Sequence, residues 1–414
     1  MAASMWFYVQ YVLVPYQQAD AARHDRPRGN LSDLYPRWLG ARELLLHHRD
    51  PYGPEVTREI QAGYYGRPLD PNRPGDPKDQ QGFAYPVYVV FLLAPTVKLP
   101  YSLVLAGFRW LLVLLTAASV PFWLRAIRWC PPRSVLAILF LLTIGSFPAA
   151  QGIKLQQLSL LVSALIAVVA ALLISGHLLL AGGLLALASI KPQLVFPLAG
   201  WFTLWTLGDL RQRWRFLAGF CLTLGVLLVA AERILPGWMG RFREAITAYN
   251  QYTGGGRSLL DVLLTPTAGK VVAAGLTVLV VWLAWQKRRA PADSPDFSFT
   301  LVTVLAATVV VIPMFAPYNQ LLLLPAIFLL AHSSEALWQR NLGTRMVFVV
   351  AVVLLVWPWL ATLALAIASA FLPSTSVQQA WAAPLYTSLA IPLGVLALLA
   401  CLAAAPLHWH RSER

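Results

Sequence analysis

Apolar runs of membrane-spanning length recur along almost the whole chain. About 30 Å of hydrocarbon requires roughly 20 helical residues, and hydrophobic residues make up 58% of the 414 residues. Only 12% of the residues are charged, about half the share that soluble globular proteins carry. The sequence therefore predicts an all-α polytopic membrane protein and excludes a soluble globular fold.

Twelve membrane spans are predicted, and several of them are short. A break is expected at Lys191-Pro192, because proline interrupts a helix. The first span is limited to the apolar run Met5–Tyr16, and the sequence leaves open whether the natural start of the protein lies upstream of Met1. The predicted spans lie near residues 5–17, 101–124, 134–150, 156–175, 178–190, 193–207, 214–235, 268–286, 297–315, 320–332, 345–371 and 385–405.

Basic residues between the apolar runs predict the orientation, because Lys and Arg concentrate in short cytoplasmic loops. Placing five basic clusters in the cytoplasm puts both termini inside and residues 18–100 outside. The net charge of +14 is thereby attributed to topology, not to nucleic-acid binding. We predict one domain over residues 1–414, multi-pass in the cell (inner/plasma) membrane. The clusters are Arg125/Arg128/Arg133, Arg211/Arg213/Arg215, Lys287/Arg288/Arg289, Arg340/Arg345 and Arg411/Arg414.

The first loop is long and polar: residues 17–84 hold 10 of the 18 acidic residues and 10 basic ones. Within it, Leu31–His48 is predicted to be an amphipathic helix at the membrane interface. Residues 66–82 are rich in Pro, Gly and Asp and predict an irregular stretch. Residues 85–97 are apolar but too short to span, and a second interfacial or re-entrant helix is expected there.

Asp33 is the carboxylate of most interest, because it follows the first span directly and opens the predicted interfacial helix. In that position it could remove a proton from a substrate hydroxyl as a general base. The alternative is a structural role, with Ser32 or Asp33 capping the helix. Arg37 could stabilise a negative charge nearby, or form only an i,i+4 salt bridge with Asp33.

A second group of polar residues lies at the predicted outer ends of spans. Lys191 interrupts an apolar stretch, where a charge is costly and usually faces a cavity or a partner. It could bind a phosphate, or its side chain could extend to the interface. Gln156 and Gln157 begin one span, and Tyr318 and Asn319 precede another. All of these polar residues lie on the same predicted side of the membrane, which suggests that they form one shared site.

The remaining loop motifs favour structural roles. Asp50-Pro51-Tyr52 is typical of a turn, and Tyr85-Pro86 of a helix start. The loop's histidines and the acidic group in its irregular stretch lack the spacing of zinc or calcium sites, and no metal is expected. These residues are His24, His47, His48, Asp70, Asp76 and Asp79.

Taken in order, several landmarks resemble those of glycosyltransferase family 87, enzymes of the GT-C fold that use polyprenol-phosphate sugars. The likeness extends over nearly the whole chain. The sequence departs from the family pattern at Val87, at Leu155–Ser159 and at Asn319-Gln320. The matching landmarks are Asp33–Tyr35 with Trp38, Asp50-Pro51-Tyr52, Tyr85-Pro86, Gln157, Lys191-Pro192-Gln193 and Pro317-Tyr318.

The resemblance implies a GT-C type fold of about 12 transmembrane helices, with a long first extracytoplasmic loop carrying interfacial helices. It implies inverting transfer of a hexose, with mannose the expected sugar, from a polyprenyl-phosphate-linked donor to a lipid or glycan acceptor. Asp33 matches the catalytic base. The donor is a substrate within the membrane lipids, and no cofactor is expected. The residues expected to bind substrate are Arg37, Tyr85, Gln157, Lys191, Tyr318 and Asn319.

The main rival hypothesis is a secondary transporter, because broken helices and a lysine at membrane depth are also transporter features. The long polar loop and the lack of a visible repeat between the two halves weigh against it. A non-catalytic membrane scaffold and a lipid-glycan polymerase or ligase are further alternatives.

Overall fold

The computed structural model describes residues 1–24, 32–70, 72–73, 76–77, 81–252, 256–313 and 315–404. Helices account for 77% of the residues, and the described ranges contain no strand. The all-α prediction is therefore confirmed. The last predicted basic cluster, Arg411/Arg414, lies outside the described residues.

The N-terminal part of the chain begins with one continuous helical segment. Its α1 and α2 sections are joined by a π-helical turn, and the junction residues keep right-handed helical dihedral angles. The elements are α1 (Ala2–Phe7), the π-helical turn Tyr8–Leu13, α2 (Val14–Arg23), α3 (Tyr35–His47), α4 (Pro54–Tyr65), α5 (Val89–Leu93) and a 3-10 turn over Ala94–Thr96.

The middle of the chain contains mostly apolar helices joined by short turns. The predicted break at Lys191-Pro192 is confirmed, since one helix ends before Lys191 and the next begins at Pro192. These helices are α6 (Tyr101–Ala126), α7 (Arg133–Ile144), α8 (Phe147–Lys154), α9 (Leu158–Ile174), α10 (Leu178–Ala188), α11 (Pro192–Gly208) and α12 (Leu210–Ile234).

The C-terminal part alternates long apolar helices with short connecting ones. They are α13 (Trp238–Tyr252), α14 (Leu259–Leu263), α15 (Pro266–Gln286), α16 (Pro295–Val311), a 3-10 helix over Pro317–Leu323, α17 (Leu324–His332), α18 (Ser334–Trp338), α19 (Leu342–Ala368), α20 (Ser374–Gln379), a 3-10 turn over Ala383–Leu385 and α21 (Ile391–Ala403).

Four described helices, α6, α12, α15 and α19, are long and apolar enough to cross a membrane. The pair α7–α8, bent by 48° at its break, would make a fifth span. The predicted count of twelve is not confirmed, although each predicted span contains helical residues. Helices such as α9 and α16, with 17 residues each, are shorter than the roughly 20 residues that a membrane span requires. They are buried on nearly all faces, as expected of core helices that are hydrophobic all round.

The predicted interfacial helix exists but differs in two ways. It begins at Tyr35, later than predicted, and Leu31 lies outside the described residues. Leu34 and Trp38 are buried as expected, but so are Leu39 and Leu44 on other faces. The helix is therefore covered by protein on several faces, and the prediction of a single buried face is wrong; its position at the membrane interface stays a prediction.

The predicted second helix at 85–97 is much shorter than expected. The α-helix covers only Val89–Leu93 and tightens into a 3-10 turn at Pro95, because proline supplies no amide N–H to continue the helix. Tyr85 forms a bend, and Pro86 precedes a turn at Val87 and Tyr88 that leads into the helix at Val89, so the helix starts later than the sequence favoured. The Tyr85 carbonyl accepts a hydrogen bond from the Tyr52 hydroxyl at 2.6 Å. Most of the segment is buried.

Two helices of more than ten residues, α4 and α13, lie in polar regions where no helix was predicted. The signals for α4 are present: Gly53 precedes a proline at the first helical position, and Gly66 ends the helix with φ of 89°, as glycine often does. α13 is attached to the first loop, since Trp238 packs edge-on against Tyr88 and Arg241 pairs with Asp50 at 2.9 Å.

Candidate active site

Asp33 is held against the turn between α8 and α9. Its backbone N–H donates to the Leu155 carbonyl at 2.9 Å. Its carboxylate accepts hydrogen bonds from the Gln157 side-chain amide and, at 3.3 Å, from the Tyr64 hydroxyl. The residue at the N-cap of α3 is Leu34, without a side-chain capping bond. The capping interpretation of Asp33 is therefore wrong, and its carboxylate belongs to a tertiary cluster.

The turn that presents Gln157 is a Schellman motif at the end of α8. The Gln157 N–H donates to the Gly152 carbonyl and the Gln156 N–H to the Ile153 carbonyl, the pattern that defines this motif. Gln156 has φ of 50°, a conformation usually taken by glycine. Its side-chain amide donates to the Ile153 carbonyl at 2.8 Å, which helps to hold the turn in place.

Lys191 approaches the same turn from the other side. It lies between α10 and α11, and its Nζ donates to Gln157 Oε1 at 2.8 Å and to Ser159 Oγ at 2.6 Å. Ser159 in turn donates to Asn319 Oδ1 at 2.9 Å. The Lys191 residue is only 6% exposed. Its side chain therefore points into the protein, and the alternative of a lysine extending to the interface is wrong.

Two tyrosine rings line the cations of this cluster. The Tyr85 ring centroid lies 4.5 Å from the Arg37 guanidinium carbon and 5.7 Å from Lys191 Nζ. The Tyr318 ring centroid lies 5.3 Å from Lys191 Nζ. These distances allow cation–π attraction. Arg37 donates to the backbone carbonyl of Asp33 at 2.7 Å, so it is not the side-chain i,i+4 salt bridge that the sequence left open.

The charges of the cluster do not balance. It contains one carboxylate, on Asp33, and two basic groups, the Arg37 guanidinium and the Lys191 amine; burial and the neighbouring charge of Arg37 lower the pKa of Lys191 to about 7, so that an anionic ligand would favour its charged form. Within the described residues no carboxylate oxygen lies within 4.0 Å of Lys191 Nζ. Arg37 Nε is buried and has no hydrogen-bond partner among the residues that the structure describes. A buried cluster with a surplus cation and an unused N–H group fits an anionic ligand, because charged groups are retained in such places when they are paired.

The electrostatic surroundings act on Asp33 in opposite directions. Burial raises the pKa of its carboxyl group, and this effect prevails. The charge of Arg37, the Gln157 amide, the charge of Lys191 and the Tyr64 hydroxyl all lower the pKa, because they favour the ionised form. Burial also raises the pKa of Tyr85 to about 12. The raised pKa makes the Asp33 carboxylate a stronger proton acceptor than an ordinary carboxylate, as suits a general base.

All seven residues that the sequence nominated come together here. Two further members, Tyr64 and Ser159, were missed: Tyr64 lies on the unpredicted helix α4, and Ser159 was one hydroxyl among many in an apolar run. The nominated residues are Asp33, Arg37, Tyr85, Gln157, Lys191, Tyr318 and Asn319.

Of the other loop motifs, Asp50-Pro51-Tyr52 touches the cluster through the bond from the Tyr52 hydroxyl to the Tyr85 carbonyl. Asp50 accepts from the Tyr52 N–H at 2.9 Å and pairs with Arg241, which confirms the turn interpretation of Asp50-Pro51-Tyr52. Asp76 pairs with Arg67, while Asp79 lies outside the described residues. In the described ranges no group of three or more His, Cys, Asp or Glu side chains is placed to hold a metal ion.

An all-helical chain with apolar helices of membrane-spanning length and a buried, charged cluster at their turns is typical of membrane enzymes that act on polar or lipid-linked substrates. The family model of glycosyltransferase family 87 matches residues 83–313. The match covers more than half of the 414 residues, and the chain belongs to glycosyltransferase family 87. Searches of curated proteins and of solved structures found no match.

Family membership makes the protein a membrane glycosyltransferase, which acts on a sugar donor and an acceptor. It also leaves the transporter and scaffold hypotheses without support. The matched range includes Tyr85, Gln157 and Lys191 but not the other four nominated residues, Asp33, Arg37, Tyr318 and Asn319. The inclusion of these four in the site rests on their contacts: hydrogen bonds of Asp33 to Gln157 and of Asn319 to Ser159, and ring contacts of Arg37 with Tyr85 and of Tyr318 with Lys191.

Proposed function

We propose that the protein transfers a hexose, with mannose the expected sugar, from a polyprenyl-phosphate-linked donor to a lipid or glycan acceptor. The transfer takes place on the extracytoplasmic face of the cell (inner/plasma) membrane, in a GT-C type fold. The observation that carries the proposal is the arrangement around Gln157, whose amide contacts a carboxylate on one side and a surplus cation on the other.

The two charged sides match the two needs of an inverting displacement. The acceptor hydroxyl must lose a proton as its oxygen forms a bond to C1 of the sugar, and Asp33 receives that proton as general base. The bond from C1 to the phosphate oxygen breaks on the opposite face, and the leaving polyprenyl phosphate keeps the electron pair. Attack opposite to the leaving group inverts the configuration at C1.

The leaving phosphate needs stabilisation as its negative charge develops. Lys191 and Arg37 supply it, since preorganised cations in a site shielded from water are among the most effective stabilisers of developing charge. Lys191 is oriented by Gln157 and Ser159. Tyr85 and Tyr318 line the cations and exclude water, and Asn319 fixes the Ser159 hydroxyl.

The proposal is tested by incubating the purified protein with radiolabelled polyprenyl-phosphate-mannose and a panel of lipid and glycan acceptors. We expect a labelled product whose new glycosidic bond has the opposite anomeric configuration from the donor. The same assay with GDP-mannose and UDP-glucose serves as the comparison. Robust transfer from a nucleotide sugar in the absence of lipid donor would refute the proposal.

A further inference from the structure

Two segments of the chain outside the Asp33 cluster are joined by one buried side chain, Arg213. It lies near the start of α12 and is only 8% exposed. Its Nη1 donates to the Trp205 carbonyl at 2.7 Å and to the Arg288 carbonyl at 3.0 Å. Its Nη2 donates to the carbonyls of Arg289 at 3.2 Å and of Ala290 at 3.1 Å. These four bonds fix the start of α12 against the turn between α15 and α16.

The two joined segments carry more basic than acidic side chains. Residues 205–215 and 285–296 together hold six basic residues and three acidic ones. Asp296 pairs with Lys287 at 3.0 Å, and Asp209 caps α12. The other five basic residues form no ion pair with a carboxylate among the residues that the structure describes. Like charges held close together repel one another, so a bound anion would stabilise this arrangement. The five residues, which we call the arginine patch, are Arg211, Arg213, Arg215, Arg288 and Arg289.

The arginine patch lies at the ends of two membrane-spanning helices. α12 begins there and α15 ends there, and both helices are long and apolar enough to cross a membrane. Trp214, on α12, and Trp285, on α15, are 53% and 51% exposed, and the Arg288 guanidinium lies 3.9 Å from the Trp285 ring centroid. Tryptophan is enriched at the depth of the lipid headgroups. The patch is therefore positioned to meet headgroups and not the hydrocarbon interior.

The whole length of α11 separates the arginine patch from the proposed active site. The helix begins at Pro192, directly after Lys191, and ends at Gly208. A Cβ atom at Gly208 would overlap the Arg288 carbonyl, so this end of α11 touches the patch. The 17 residues of the helix extend about 25 Å. A ligand bound at the patch is therefore a different molecule from a donor whose phosphate contacts Lys191.

An exposed apolar stripe extends from the patch along α11. Phe196, Gly200 and Leu207 lie on one side of the helix, because they are four and seven residues apart. Phe196 is 72% exposed and Leu207 57%, and a Cβ atom at Gly200 would meet open space. On the opposite side Leu198 and Trp205 are buried. Since α12 and α15 both pack against α11, an acyl chain can lie along this stripe while its headgroup contacts the patch.

We infer that the arginine patch binds the headgroup of an anionic phospholipid of the bilayer. Basic sites between transmembrane helices bind such headgroups, and the planar guanidinium group can donate two parallel hydrogen bonds to a phosphate. Arg213 is fully engaged by carbonyl groups and only holds the two segments together. The exposed side chains of Arg215 and Arg289, one from each segment, supply the contacts. Neither the family match nor the proposed reaction assigns a ligand to this place.

The test compares phosphatidylglycerol, which is anionic, with phosphatidylcholine, which has no net charge. A ligand that binds the folded protein raises its Tm, and we expect phosphatidylglycerol to raise the Tm of the purified protein in detergent by about 3 °C or more. Arg215→Gln/Arg289→Gln removes one cation from each segment and leaves Arg213 in place. This variant should lose most of the rise, and in native mass spectrometry its affinity for one phosphatidylglycerol molecule should fall about tenfold.

Arg133→Gln/Arg345→Gln is the matched control, because it lowers the net charge by the same amount. Both arginines are exposed and lie outside the patch, in other basic clusters on the same predicted side of the membrane. This variant should keep the wild-type rise in Tm and the bound phosphatidylglycerol. An equal loss in the two double variants would overturn the inference, since the charge of the whole surface would then attract the lipid. An equal rise in Tm with phosphatidylcholine, or with soluble glycerol phosphate, would overturn it too.

The single variants Arg215→Gln and Arg289→Gln are measured if the double variant fails to fold. Each should weaken the binding of phosphatidylglycerol about threefold, and wild-type affinity in both would reject the patch as the site. None of these measurements requires turnover. A protein that binds phosphatidylglycerol but transfers no sugar would refute only the proposed function, whereas sugar transfer without this binding would refute only the lipid site.

Discussion

Asp33 and Lys191 are joined through a single neutral group, the side-chain amide of Gln157. An ammonium group can only donate hydrogen bonds, so the amide oxygen of Gln157 faces Lys191, at 2.8 Å. The amide nitrogen consequently faces Asp33 and donates to its carboxylate. This orientation favours the ionised form of Asp33. It also keeps the carboxylate and the cation from neutralising each other directly, which leaves both available to a substrate.

The first prediction concerns Asp33. Asp33→Asn should lower kcat by about 10²–10⁴-fold, the usual contribution of a general base. The fold and the binding of donor should survive, because asparagine is nearly isosteric and its amide oxygen can still accept one of the two hydrogen bonds, from Gln157 or from Tyr64. Steady-state kinetics with saturating donor and a melting curve measure the two effects.

Asp209→Asn provides a matched control for this substitution. Asp209 caps α12 by accepting from the Gln212 N–H, and asparagine is an equally good N-cap. That variant should keep wild-type activity and stability. If Asp33→Asn retained more than about a third of the wild-type rate, far above the range expected for loss of a base, Asp33 would not be the base. Asp50 and Glu43 would then be tested in the same way.

The second prediction concerns the donor side of the site. Lys191→Met removes the cation that contacts Gln157 and Ser159, and should weaken donor binding about tenfold or more, since hydrogen bonds to charged groups contribute about 1.5–3 kcal/mol. Lys191→Arg should keep part of the affinity because it keeps the charge. Titration with a non-transferable polyprenyl phosphate measures this directly.

Lys270→Met is the corresponding control, because Lys270 is exposed near the start of α15. The affinity of the Lys270→Met variant for the donor should equal that of the wild type. Equal affinity in Lys191→Met would show that Lys191 does not bind the phosphate and serves only to orient Gln157.

The third prediction is a pH dependence. Burial raises the pKa of Asp33, and the base acts only when deprotonated. The value of kcat/KM should therefore rise with pH through a pKa above the ordinary carboxyl value of about 4. Tyr64→Phe removes a hydrogen bond that favours the charged form, and should move this rise to still higher pH.

An exposed tyrosine tests whether the shift is specific. Tyr386 is 73% exposed, and Tyr386→Phe should leave the pH profile unchanged. A profile of Tyr64→Phe that coincided with the wild type would mean that the Tyr64 hydroxyl does not stabilise the reactive carboxylate.

The fourth prediction is the orientation in the membrane, which places the first loop outside and the basic clusters inside. In a protein lacking Cys130, Cys221 and Cys401, a cysteine at Asn72 should react with an impermeant maleimide in intact cells. A cysteine at Arg289 should react only after permeabilisation. Labelling of position 289 from outside would reject this topology.

The all-helical membrane class of the fold and most members of the cluster could be predicted from sequence, because both leave local signals, whereas the count of twelve spans is not confirmed. A polar residue next to a helix break in an apolar region, such as Lys191 or Gln157, is costly unless it has a function. What could not be predicted was which residues are bonded to each other. The Gln157 and Asp33 side chains meet across 124 positions of sequence, and only the packing of α8 against the loop decides that contact.

Burial explains most of the remaining differences between the structure predicted from the sequence and the one observed. The pattern of apolar residues in α3 predicted one buried face, but the helix is covered on several sides by α4 and residues 83–97. Gly63 shows how closely α4 approaches, since a Cβ atom there would overlap the Tyr35 hydroxyl. This close contact places Tyr64 beside Asp33. Sequence patterns record that a residue is apolar, but not how many neighbours cover it.

The length of α8 constrains this protein in a way that no single side chain does. Its eight residues, Phe147–Lys154, extend about 12 Å and end just before the turn that presents Gln157. Deleting or inserting one residue would rotate everything that follows by about 100° around the helix axis, and would turn Gln157 away from both Asp33 and Lys191. Substitutions within α8 can be absorbed by repacking, but a change in its length would dismantle the site while leaving every residue of the site present.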